Sequence, residues 1–136
     1  MKSAKLLGAF LLLASVAIIS CKGKTAKDLI INKWKFTELG GKAGDEMPDS
    51  VKKQVIESSA IEFKKDGTYE ATGGFKDSAQ HGTYSLSDDG KFMYSKDSNQ
   101  SSPDTLKILE LTTGKMVVCP MSAGKDGDMK LTLMPK

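Results

Sequence analysis

Cys119-Pro120-Met121 is the stretch with the most obvious chemistry. In a strand, alternation puts Cys119 and Met121 on one face, and their sulfurs are soft donors that suit Cu(I), with Met116 nearby. Two donors on one strand need partners from elsewhere, and Cys and Met are also ordinary core fillers. No metal is expected, and Pro120 reads as a bulge or strand end. His81, the single histidine, sits in "AQHGTYS" with no neighbour at a spacing that would orient it as a general base. Asp126 and Asp128 flank Gly127 without the other positions of a calcium loop. The chain has no G-x-S-x-G elbow, phosphate-cradling glycine loop or H-E-x-x-H helix. The reading is a non-enzyme without a cofactor.

A second thiol has a different setting. In "LLLASVAIISCKGKTAKD" an apolar run stops at Cys21 and lysines follow. Lys2 and Lys5, the core from Leu6 to Ile19 and small Ser20 are the three parts of an export signal. The core, broken by Gly8 and Ser15, is shorter than the roughly 20 residues that cross a bilayer. "AIISC" resembles a bacterial lipobox, with Ile19 where a small residue is commoner. The expectation is a signal over 1–20, a lipidated Cys21 as membrane anchor, a flexible tether over 21–28 and one domain over 29–136. A soluble secreted protein is the competing reading.

Signal removal changes the charge argument. The chain has 20 basic residues, all lysine, against 17 acids, and from Asp28 onward the count is 15 against 17. This slightly negative body without arginine lacks the guanidinium fork favoured for phosphate, so nucleic acid is excluded as a partner. With Cys21 lipidated, Cys119 has no disulfide partner, and the exported domain must rest on its hydrophobic core.

Regular punctuation then sets the architecture. Strands are predicted near 33–39, 60–64, 68–72, 80–87, 91–96, 104–112, 115–121 and 128–134. Asp66-Gly67 and Asp89-Gly90 turn between alternating runs, the strongest short-range hairpin signal, and Thr113-Gly114 is read as a third turn. Short strands without helical crossovers make an antiparallel meander, and eight of them can close the first on the last and remove both edges. A β-sandwich would show a long crossing connection between later strands, and the one long connection here is 40–59, near the start. The fold class is therefore all-β, an eight-stranded up-and-down barrel. "PDSVKKQVIESS" (48–59) supplies one helix, with Val51 and Val55 on its inner face and Asp49 or Ser50 as cap. It is expected to cover an open end, either fixed or as a lid.

"INKWKFTEL", "IEFKKDGTY", "HGTYSLSDDGKFMY" and "LKILELTTGKMVV" in that order resemble the lipocalin-like domain of small Gram-negative envelope lipoproteins. The resemblance covers about residues 30–134 and implies a calyx that takes a hydrophobic ligand. Asn32 stands where lipocalins place a glycine before the Trp.

An eight-stranded barrel is wide enough to be filled by side chains or to hold one small ligand. Trp34, Phe36, Ile61, Ile108 and Leu133 are assigned to the structural core, packed solid near Trp34. Phe63, Tyr69, Ala71, Tyr84, Phe92, Tyr94, Leu106, Val117 and Leu131 are the candidate ligand-binding interior. Ala71, Gly73 and Gly74 take little space, so a shallow apolar pocket is expected at their end. The function read from this is a monomeric, membrane-anchored binding module for a small apolar or amphipathic molecule. A structural or inhibitor-like interaction lipoprotein with a filled barrel is the alternative, and cavity volume separates the two. Lys22-Gly23-Lys24 after the anchor shows no surface-export or inner-membrane signal, which points to the outer membrane, facing the periplasm.

Overall fold

The computed structural model describes residues 23–74, 78–121 and 128–136. The signal, Cys21 and Asp126 lie outside the described residues.

Eight strands form a closed barrel: β1 (Lys33–Gly40), β2 (Ala60–Phe63), β3 (Thr68–Thr72), β4 (Gln80–Leu86), β5 (Phe92–Asp97), β6 (Asp104–Leu111), β7 (Met116–Pro120) and β8 (Lys130–Pro135). Each pairs antiparallel with the next in sequence, and β8 closes on β1. The hairpin turns are held by side chains the sequence supplies locally. Gly67 takes φ +85°, while the Asp66 carboxylate accepts from Thr68 Oγ1 at 2.6 Å and Thr68 N at 2.9 Å. Gly90 takes φ +69°, and Asp89 accepts from Ser87 Oγ at 2.7 Å and Lys91 N at 3.0 Å. The hydroxyl of Thr68 or Ser87, and then the backbone donor, holds each carboxylate below the ordinary aspartate range.

One end of the barrel is plugged. Trp34 and Ile30 are fully buried, and the Trp34 indole N–H donates to the Ile30 carbonyl at 3.0 Å. Ile30 arrives on a short helix, α1 (Ala26–Ile30), which packs against β6. Thr25 and Asp28 form a reciprocal capping box at its start. The end of the span expected as a flexible tether is ordered: from Thr25 the chain is capped, helical and docked by Ile30.

At the other end, where β1 leads into β2, lie α2 (Gly41–Asp45) and α3 (Asp49–Ser58). α2 was not expected; its Ala43 N–H donates to the Asp128 carbonyl at 2.7 Å, tying it to the approach to β8. α3 packs on β1 through Val55, which is buried, whereas Val51 is 37 % exposed. Only the C-terminal half of this helix meets the barrel, which corrects the inner face read from the sequence. Its N-cap is Pro48, without a side-chain capping bond, and Asp49 already lies inside the helix.

Two strands run in the opposite phase to that expected. In β5, Met93 and Asp97 are buried and Tyr94 is 40 % exposed, while Phe92 stands opposite Lys107 on the outer face. In β7, Met116 and Val118 join the core, and Val117 lies beside outward Glu110 and Thr132. "FMY" and "MVVC" are apolar at consecutive positions, so alternation alone leaves their phase open. Neighbouring strands decide it: Met93 pairs with Leu106 and Val118 with Leu131. Register shifts near Thr37 in β1 and Leu109 in β6 mark bulges, and Leu109 is exposed there.

Gly82, from "HGTY", lies opposite Tyr69 on one side and Asp97 on the other. A Cβ there would stand 2.7 Å from Tyr69 Cε1 and 2.1 Å from the Lys96 carbonyl oxygen. The backbone oxygen cannot swing aside, so Gly82→Ala should destabilise the barrel by roughly 1–3 kcal/mol, as overpacking does. Chemical denaturation checks this; an unchanged midpoint would mean that β4 and β5 separate freely.

Candidate functional site

A cavity of about 420 Å³ opens at the end of the barrel away from Trp34. Its walls are built from the inward residues of successive strands: Phe63, Tyr69 and Ala71, then Met93 and Leu106, then Met116 and Val118, then Leu131 and Leu133. Below them the rings interlock. Phe63 and Tyr84 meet edge to face with centroids 4.9 Å apart, and Phe63 and Tyr69 lie tilted at 6.2 Å. The Tyr84 hydroxyl donates to the Lys64 carbonyl at 2.7 Å, which anchors this floor.

The rim is polar and comes from strand ends and α3. Ser59, Gln80, Asp97, Gln100 and Asp104 all line it. Gly73 makes the rim possible: it takes φ +71°, and a Cβ would stand 2.1 Å from the Ser58 carbonyl oxygen at the end of α3. The backbone after β3 therefore closes directly onto the helix.

The predicted interior residues divide. Phe63, Tyr69, Ala71, Leu106 and Leu131 line the cavity. Tyr84 packs against the core. Phe92, Tyr94 and Val117 belong to the outer face through the phase reversal above. Among the predicted core residues, Trp34 is sealed from solvent and Ile108 packs on the core. Phe36, Ile61 and Leu133 reach the cavity wall, so the solid end is confined to the layer of Trp34 and Ile30.

Asp97 is the residue that strand reading missed. It is 5 % exposed, and its carboxylate accepts from Asn99 N at 2.8 Å. Burial above all, and then the negative charges of Asp97 and Asp104, push the Tyr69 phenol above its ordinary pKa. The Ser59 hydroxyl oxygen is buried without a hydrogen-bond partner. Asp97 and Ser59 both line the cavity, whose deeper walls are apolar.

Other chemistry does not converge. His81 is on the outer face, its Nδ1 4.0 Å from Glu70 Oε1, and that oxygen is already held by Lys64 Nζ at 2.6 Å. Met116 lines the cavity whereas Cys119 falls on the opposite face of β7 by register. Among the described residues, no three His, Cys, Asp or Glu side chains are grouped to share a metal ion.

The profile of the lipocalin-like domain family matches residues 30–118. No curated protein matches the sequence. Among solved structures, a DUF4847 family protein from Bacteroides vulgatus superposes with a TM-score of 0.52 over 78 % of this chain and 93 % of its own, at 12 % identity. That likeness carries the barrel architecture.

Proposed function

The chain belongs to the lipocalin-like domain family, and from this we propose that it is a membrane-anchored envelope lipoprotein whose barrel binds one small apolar or amphipathic molecule. The observation that carries the reading is the 420 Å³ cavity with an apolar wall and a few polar groups at one rim. Binding sites for small molecules have this size and this division of labour. The end around Trp34 is plugged, so the described walls form a cup, and the end of α3 and the turn at Gly73 border its mouth. Among the described residues, no nucleophile beside an oriented base lines the cavity, which favours a binding role.

In this reading Cys21 carries the lipid and the barrel hangs from the outer membrane, facing the periplasm. Protein purified from its own envelope and sprayed under native conditions should carry a retained molecule. Its mass should disappear on denaturation. Repeated preparations at the bare polypeptide-plus-lipid mass, together with no uptake of added amphiphiles, would overturn the binding reading.

A further inference from the structure

Among the described residues, the rim of the cavity carries charge of one sign. Asp97 and Asp104 line it, and no described lining residue is a lysine or histidine. Asp97 is nearly sealed from solvent, so its charge is weakly screened and acts into the cavity. Its Oδ1 accepts from the Asn99 amide, and Oδ2 has no protein donor among the described residues. Across the same mouth Ser59 is 3 % exposed, with a hydroxyl oxygen that has no partner. A buried hydroxyl in that state is costly unless something that enters the cavity satisfies it.

Resting on the binding reading above, we propose that the ligand is an amphiphile with a cationic, donor-bearing head, a primary ammonium group, held by Asp97 at the rim. Its tail runs down the wall formed by Leu106, Val118 and Leu131. An ammonium offers three donors and no acceptor. It can pair with the open side of the Asp97 carboxylate, and the Ser59 and Gln100 side chains line the same cavity. Among the described residues, a carboxylate head would add a third negative charge to a rim that holds two and would find no cation to pair with. Discrimination arises as much from that repulsion as from the attraction of the amine.

Protein produced from the full sequence, titrated calorimetrically with octylamine, octanoate and octanol at neutral pH, tests this. The expected result is octylamine binding at least about tenfold more tightly than octanoate, with octanol between them. Asp97→Asn should bring amine and acid to within about threefold of each other. Asp104→Asn, which leaves the Asn99 contact intact, should narrow the gap less, and it serves if Asp97→Asn does not fold. Equal affinity for amine and acid, or an undiminished amine preference in a folded Asp97→Asn protein, would overturn the head-group assignment while the cavity still binds tails. Absence of binding by all three probes would overturn both this assignment and the binding reading.

Discussion

Trp34→Ala should cost roughly 3–5 kcal/mol of stability, the largest loss expected from any single side chain here. The indole is fully buried beside Ile30 in the layer that closes the barrel. Its removal leaves a cavity and also strips the Ile30 carbonyl of the donor that meets it at 3.0 Å. Ile30 then has little to hold it, and α1 should detach with it, so the loss spreads from one side chain to the plug. For a domain of ordinary stability, about 5–15 kcal/mol, such a change leaves the fold marginal. Thermal unfolding followed by circular dichroism measures it. Trp34→Phe, which keeps most of the ring volume and loses the N–H, should fall between the two. A melting temperature of the alanine variant within a few degrees of wild type would mean that Trp34 is dispensable and that the barrel is closed by other residues.

What the sequence disclosed and what it hid follow from how local each determinant is. The Asp66-Gly67 and Asp89-Gly90 hairpins were legible because their requirement, a left-handed residue beside an aspartate cap, is met within four residues. Closure was legible from strand count and the absence of crossovers. The phase of β5 and β7 was not, because "FMY" and "MVVC" satisfy either face, and only pairing with Leu106 and Leu131 chooses one. Asp97 was hidden for a further reason. A charged residue at a strand end reads as solvent-facing, and its burial depends on Gly82 across the ladder and on the turn that brings the Asn99 amide back to it. The apolar wall of the site was therefore about half readable, and its polar rim was not. α1 does have a local signal: "TAKD" has the spacing of a capping box, directly ahead of the apolar run Leu29-Ile30-Ile31.

Replacing Cys21, the proposed lipid anchor, by serine should remove the membrane association entirely. The variant is best made behind the signal of a soluble exported protein, so that an uncleaved apolar leader cannot hold it to the bilayer. What then remains to attract the chain is Lys22, Lys24 and Lys27. Each contributes on the order of 1 kcal/mol near an anionic surface, an attraction that falls off within a Debye length. Three such contacts are too weak to retain a protein through a wash at high ionic strength. An acyl chain contributes about 0.8 kcal/mol for every buried methylene and is insensitive to salt, and a basic patch beside it is the kind of second signal that makes anchoring stable. The two contributions separate experimentally. Wild-type protein should stay in the membrane fraction at high salt and carry an acyl mass on the peptide containing Cys21. The Cys21→Ser protein should lack that mass and wash off completely, while a triple Lys→Gln variant at 22, 24 and 27 should stay bound and lose only the salt-dependent part of its affinity. Wild-type protein recovered in the soluble fraction, or a serine variant that survives the wash, would remove the anchor from the proposal and leave a barrel that works in solution or binds membranes through its own surface.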